Sequence, residues 1–485
     1  MGTSEHAPET ARRAPRRARI GLLSVGLGAY WEQFPGLLPA LEGYADRVAA
    51  RLEESGGAVV ARAFVSGPEE AVVAGERFRA AGLDLLVVHL ATYATSTQVL
   101  PVIQRAGVPA LLIDLQPQPK MDHANTDTGR WLEYCGVCPL PELAATLQRC
   151  DIPSRSVSGY LEDTRAWARI AAWVRAAGVV AGLRAGRFGL LGHLYPGMLD
   201  VATDLTLVHR HTGGHVEVLE MDDLRVRVAG ATEAAIDAVL ARTRAIFAIA
   251  DSVKEADLRW AAQVAVGLEA LARDFALSAL AYYYRGLGGG EYERLGAGLI
   301  LGASLLTAAG IPCVGEYELR TSLAMQIMDQ LGAGGSFTEF QAFNFADGVV
   351  EMGHDGPAHL AISADRPILR SLDVYHGKRG EGVAVEFSVR EGPVTLLALT
   401  QRREGGYRLV VAEGEVVPGP LLELGNTTSR VAFGMDPGEW VDAWCAAGPS
   451  HHWAIGIGHQ AATLHRVAEL LGAEFVQIKP WCITG

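Results

Sequence analysis

From residue 20 onward the chain alternates between short apolar runs and longer stretches with helical spacing. Residues 20–25 form the first apolar run, and 37–52 carry apolar positions three and four apart. Residues 59–65 predict a second strand, 68–81 a helix, 83–89 a nearly all-apolar strand, 96–105 a helix and 110–114 a further strand. Strands without polar alternation, separated by amphipathic stretches, bury both their faces. They predict a parallel sheet covered by helices on either side. A helix over 163–177 closes this region.

Glycines and arginines at 182–186 mark a boundary. A second α/β region opens with a strand at 188–191. It continues with helices at 233–250 and 255–274, a strand at 277–283 and a buried helix at 295–309, whose Leu299, Leu301, Leu305 and Leu306 read as core. Beyond 332 the texture changes. Segments 383–389, 394–399, 407–411 and 430–433 are short, rich in Val and Leu, and separated by glycine-containing turns. This is the pattern of an antiparallel barrel or sandwich, with a helical return at 459–471. The expected fold is therefore α/β. Two Rossmann-like parallel-sheet domains (20–181 and 182–331) follow an amino-terminal arm (1–19) and precede a carboxyl-terminal β-barrel-like domain (332–485).

Composition changes this picture little. A chain of 485 residues is long enough for two or three domains, and 49% hydrophobic with 20% charged residues is ordinary for a globular protein. A net charge of −13 disfavours a nucleic-acid partner, since a polyanion is repelled. The first nineteen residues hold five arginines and no acid after Glu9, which predicts a mobile arm. The run at 20–30 is short, and Trp31-Glu32 follows it in place of a small-residue cleavage site. It reads as a buried strand and not as a signal segment. No apolar run approaches membrane-span length, so no membrane partner is expected. Six cysteines are too sparse for a disulfide framework and suggest a reducing cytoplasm. Cys135 and Cys138 form a Cys-x-x-Cys before Pro139. The pair is either a redox motif or without chemical role, and no second pair completes a zinc site.

Two glycine motifs are incomplete. Gly26-Leu27-Gly28 lacks the third glycine of a dinucleotide fingerprint, and no acid ends the second strand, so it reads as a tight turn. Gly286-Leu287-Gly288-Gly289-Gly290 lacks the Lys-Ser/Thr of a P-loop. Four acids and imidazoles are more informative: Glu316, Glu339, His354 and His452, each near glycines at an element end. Two carboxylates with two imidazoles suit a hard or borderline divalent ion. Singly, each also has an ordinary reading: Glu316 as a helix cap, Glu339 as a surface acid, the histidines as hydrogen-bonded structural groups.

Four blocks around these residues resemble the L-arabinose isomerase family. Gly315-Glu316-Tyr317-Glu318-Leu319-Arg320-Thr321 is similar to the family's Gly-Glu-Gly-Asp-Trp-Lys-Thr. Gly334-Gly335-Ser336-Phe337-Thr338-Glu339 is similar to its Gly-Gly-Thr-Ser-Phe-Met-Glu. Met352-Gly353-His354 resembles its Gly-Ser-His, and Ala447-Gly448-Pro449-Ser450-His451-His452 its Ala-Gly-Gly-Ala-His-His. The blocks occur in the family's order and at about its spacing. The resemblance implies a Mn²⁺ (or Mg²⁺ or Co²⁺) held by Glu316, Glu339, His354 and His452, partly in the carboxyl-terminal domain. It also implies aldose–ketose isomerisation through a cis-enediol, with the two glutamates as acid–base pair and His451 supporting its neighbour. A cytoplasmic trimer or hexamer acting on a free pentose or deoxyhexose is the family expectation.

The first domain departs from the family. Its His-Gly-Gly stretch aligns with Tyr134-Cys135-Gly136-Val137-Cys138, which lacks the histidine, its Gly-Ser-Gln-His-Leu-Tyr-Gly is Gly26-Leu27-Gly28-Ala29-Tyr30-Trp31-Glu32, and its Thr-Phe-Ser-Pro is Thr92-Tyr93-Ala94-Thr95. Tyr30, Trp31 and Tyr93 either face a sugar or simply pack. The rewritten wall leaves two alternatives open beside the free-sugar isomerase. One is an epimerase or isomerase of a modified sugar in a specialised pathway. The other is a non-catalytic sugar-binding protein on the same scaffold.

Overall fold

A computed structural model describes residues 13–285, 290–372 and 382–479. Most of the amino-terminal arm, the glycine stretch 286–289 and Cys482 lie outside the described residues. The chain divides into two compact units, Arg16–Ala181 and a second beginning at Gly182.

The first unit is built on strands β1 (Arg19–Val25), β2 (Ala58–Val65), β3 (Leu85–Leu90), β4 (Ala110–Gln116) and β5 (Ser154–Tyr160). They form one parallel sheet in the order β2-β1-β3-β4-β5. β3 is buried at all six positions, as its unbroken apolar sequence demands. The chain runs from β1 out to β2, then returns to the other side of β1 as β3. In open parallel sheets such a reversal is where ligand crevices form, beyond the carboxyl ends of the two strands. Helix Ser96–Ala106 starts on a capping box between Thr95 and Gln98, which satisfies amides that the first turn leaves unpaired.

Helix Thr164–Arg184 corrects one expectation. At 21 residues and a mean hydropathy of 1.2 it is long and apolar enough to cross a membrane, yet 78% of its apolar window is buried inside the protein. Ile170, Val174 and Val179 are among its buried residues, so burial in the core accounts for its apolarity.

The second unit begins with β6 (Arg187–Gly192), β7 (His215–Leu219), β8 (Ala248–Ile249), β9 (Ala279–Tyr283) and β10 (Cys313–Val314). Four of these make a parallel sheet, β10-β9-β6-β7. The predicted helix 295–309 is two helices, Glu291–Ala297 and Leu299–Ala308. They part at Gly298, where a Cβ would stand 2.7 Å from Val264. The helix predicted at 233–250 ends at Ile246, and the chain then enters β8.

The rest of the chain adds β11 (Ser336–Asn344), β12 (Val349–Gly353), β13 (Ile368–Ser371), β14 (Val383–Glu386), β15 (Gly392–Gln401), β16 (Tyr407–Val416), β17 (Ser429–Ala432), β18 (Trp453–Ile457) and β19 (Glu474–Ile478). Six of them close a ring, β15-β18-β11-β12-β17-β16 and back to β15, with every neighbouring pair antiparallel. β19 lies parallel against β16, and β13 joins β14 and β8 in a small separate sheet. The antiparallel barrel expected from the sequence is thus present. Val394, Leu396, Val410, Met352 and Val431 belong to one buried cluster with Trp440, Trp444 and Trp453.

Helix Leu319–Gln330 is buried at every position but its last and packs against β9, β15 and β18. Some of its polar groups find internal partners: Asp329 Oδ1 lies 3.0 Å from His359 Nε2, and the Ser322 hydroxyl donates to the Leu319 carbonyl at 2.7 Å. The parallel sheet and the barrel meet across this helix, which sets the segment after β10 beside β11, β12 and β18.

Candidate metal centre

Barrel register brings three of the sequence-selected residues together. β11 pairs Glu339 with Gly353, the residue before His354. It also pairs Thr338 with Trp453, the residue after His452. Three adjacent strands therefore present Glu339, His354 and His452 side by side. Gly353 permits this closeness, because a Cβ there would fall 1.7 Å from the carbonyl oxygen of Thr427.

Glu316 arrives from the other sheet, just past β10. It and Tyr317 occupy left-handed backbone, with φ of 60° and 64°. Such a conformation costs a residue with a Cβ about 1–2 kcal/mol. At the second position the arabinose isomerase pattern has glycine, which this chain replaces by Tyr317. The tight reversal turns Glu316 toward the barrel histidines while Glu318, two residues on, lies fully buried beneath them.

The side chains converge closely. His354 Nε2 and His452 Nε2 are 3.2 Å apart. His452 Nε2 is 3.4 Å from Glu316 Oε2 and 3.9 Å from Glu339 Oε2, and His451 Nε2 is 3.5 Å from Glu316 Oε2. Ligand atoms fall into two compact triads sharing His452: Glu316 with His451, and Glu339 with His354. Phe337, wholly buried, underlies both inner imidazoles, its ring centroid 3.9 Å from that of His354 and 4.5 Å from that of His452.

Hydrogen bonds fix which nitrogens face inward. His452 Nδ1 donates to Glu318 Oε2 at 2.7 Å, so its Nε2 turns a lone pair toward the cluster. His354 Nδ1 is engaged 2.8 Å from the Gly356 amide and 3.2 Å from Asp355 Oδ1, again leaving Nε2 on the inner side. Burial would raise the Glu318 pKa, but the hydrogen bond from His452 and the charge of Arg320, 3.5 Å away, hold it below the usual value.

Sequence reading missed Asp200, which sits in the short turn Leu199–Val201. Its Oδ2 accepts from both Nδ1 (2.6 Å) and the backbone amide (3.0 Å) of His451. Burial acts to lower the pKa of His451, yet the Glu316 and Asp200 carboxylates more than reverse this and hold it up at about 9. Burial also raises Glu339, reinforced by the negative charges of Glu316 and Asp355. Glu339 is the most open of the four, 39% exposed against 13% for Glu316.

The arrangement passes a direct test for a cation. Glu316 Oε2 is buried and faces the imidazoles of His452 and His451 at 3.4 and 3.5 Å without a well-formed hydrogen bond, an environment to which a divalent ion would add the positive charge a buried carboxylate calls for. Two inward imidazole nitrogens, His452 Nε2 with its lone pair free and His354 Nε2 beside it, and a second carboxylate complete a donor set suited to a borderline divalent ion.

Tyr30, Trp31 and Tyr93 lie in the first unit. There they pack around Leu37, Ala91, Leu132 and Cys135, and the Trp31 indole donates to Ser66 Oγ at 3.0 Å.

Comparison with known proteins follows the same lines. Residues 369–479 match the family model of the L-fucose isomerase, C-terminal domain. An L-arabinose isomerase of Nocardioides sp. is 27% identical over 358 residues, covering 70% of this chain and 68% of that protein. Those of Mycolicibacterium smegmatis (68% and 67% covered) and Acidothermus cellulolyticus (70% and 69%) are each 26% identical.

Proposed function

We propose that this chain, a divergent relative of the L-arabinose isomerases, is a divalent-metal-dependent aldose–ketose isomerase of a free sugar of the pentose or deoxyhexose class. The observation that carries the reading is the convergence of Glu316, Glu339, His354 and His452 into overlapping groups of ligand atoms. The similarity to sugar isomerases supports the reaction class.

Moving a carbonyl between neighbouring carbons requires removing a proton from a C–H beside it, a poor acid, and returning a proton next door. A divalent ion held by the four residues would supply positive charge where the enediolate oxygens develop theirs. Glu339 suits proton removal: it is the more accessible carboxylate, and burial and neighbouring charge make it a stronger base than an ordinary glutamate. Glu316 stands opposite as the second acid–base group, against His451. His451, held up at about 9, stays protonated at neutral pH and offers a charged donor to a substrate oxygen. Asp200 keeps that imidazole oriented from behind.

Solvent deuterium uptake tests the reading. Incubated in heavy water with a panel of aldoses and ketoses, protein supplied with Mn²⁺ should label one sugar at C1 or C2. Chelator-treated protein should label none. Absence of label with every sugar, despite bound metal, would overturn it.

A further inference from the structure

The connection between β4 and β5 contains Cys135-Gly136-Val137-Cys138-Pro139. Cys135–Val137 form one 3-10 turn, closed by the Cys138 amide donating to the Cys135 carbonyl at 3.1 Å. The two Sγ atoms are 3.2 Å apart, and both thiols are free. Cys135 is buried and Cys138 exposed. Helix Leu140–Arg149 starts directly after Pro139.

This turn is pressed against the sheet. A Cβ at Gly136 would lie 2.2 Å from the Leu90 carbonyl oxygen ending β3 and 2.7 Å from Asp114 Oδ1 on β4. Only glycine fits at position 136, and the buried Asp114 carboxylate abuts the turn there. Burial lifts the Asp114 pKa to about 6, and burial together with the Cys138 contact lifts Cys135 to about 12. Neither cysteine joins a three-ligand metal group among the described residues.

We infer that Cys135 and Cys138 are a redox-active dithiol that exchanges with low-molecular-weight disulfides, with Asp114 taking the proton from the buried thiol. The exposed Cys138 thiolate attacks one sulfur of RSSR. A Cys138–SR bond forms, the S–S bond breaks, and the leaving RS⁻ takes a proton. Cys135 then loses its proton to Asp114 and attacks Cys138 Sγ, expelling a second RS⁻, which is protonated in turn. Net, two protein thiols and RSSR become a protein disulfide and two RSH. The sulfurs need only close from 3.2 Å to about 2.05 Å. This inference stands on the first unit alone and is independent of the metal-centre reading.

Full-length protein equilibrated with graded ratios of reduced and oxidised glutathione, quenched, alkylated and digested with trypsin tests it. Both cysteines fall in one peptide, 131–149. That peptide should lose two hydrogens progressively as oxidant rises, and regain them in excess thiol. Cys135→Ser should trap glutathione on Cys138. Asp114→Asn should slow closure of the mixed disulfide by about tenfold or more, while the alkylation rate of Cys138, which reports an intact fold, stays unchanged. A wild-type mixed disulfide that never closes, or thiols inert at every ratio, would overturn the dithiol. Closure at the wild-type rate in Asp114→Asn would overturn the role of Asp114.

Discussion

His452 Nδ1 and Glu318 Oε2 lie 2.7 Å apart, both side chains sealed from solvent. A carboxylate behind an imidazole fixes its ring and increases the basicity of the opposite nitrogen. Glu318→Gln keeps the shape but removes the charge. It should weaken binding of a divalent ion by roughly 10–100-fold, read by calorimetric titration of Mn²⁺, with turnover partly restored at high metal concentration. Unchanged affinity would remove Glu318 from the centre.

Glu339 makes the folded protein sensitive to pH. Its pKa is raised on folding, so the native state holds this proton more tightly than the unfolded chain. Its contribution to stability is then greatest at low pH and is lost as pH rises through the interval above the ordinary glutamate value. In chelator-treated protein, Glu339→Gln should raise the melting temperature at neutral pH. The gain should vanish below the usual glutamate range. The same variant should cut turnover by about 10²–10⁴.

The His451–Asp200 pair follows the same direction but in a higher pH window. With His451 raised from 6.5 to about 9, its stabilising contribution is complete below pH 6.5 and disappears as pH climbs past 9. Denaturant titrations of Asp200→Asn should show a loss on the acid side that fades at alkaline pH. The side chains are 37% and 44% exposed, so solvent screening limits the loss to about 1 kcal/mol. A loss constant across that range would mean that Asp200 acts through packing alone.

Gly353→Ala places a methyl group against the Thr427 carbonyl oxygen. Either β12 shifts or the segment after β16 does, at a cost of about 3 kcal/mol, the upper end of overpacking penalties. Because His354 follows directly, metal affinity should fall together with stability. Thermal unfolding with and without Mn²⁺ measures both.

Elements with unbroken apolar sequences, such as β3, were legible because burial on two faces leaves no polar position. β5 was not: Ser154–Tyr160 fully buries only Val157, so its sequence carries no hydrophobic signal. Helix boundaries failed where glycine interrupts, as at Gly298. The four central site residues could be selected from motif blocks, but their convergence depends on barrel register and on a left-handed backbone at Glu316. Asp200 gave no sequence cue, lying in a short turn whose proximity to His451 is purely tertiary.

The closed ring settles a question of parity. His451 and His452 are chemically identical neighbours, and a strand shifted by one residue exchanges its inward and outward sides. Here β18 is held on both flanks, by β11 and β15, within a circle that has no loose strand among its six. The doublet is ambiguous as text; the register of β18 against β11 carries His452 Nε2 to His354 and Glu339 as well as to Glu316, while His451, tied to Asp200, reaches only Glu316.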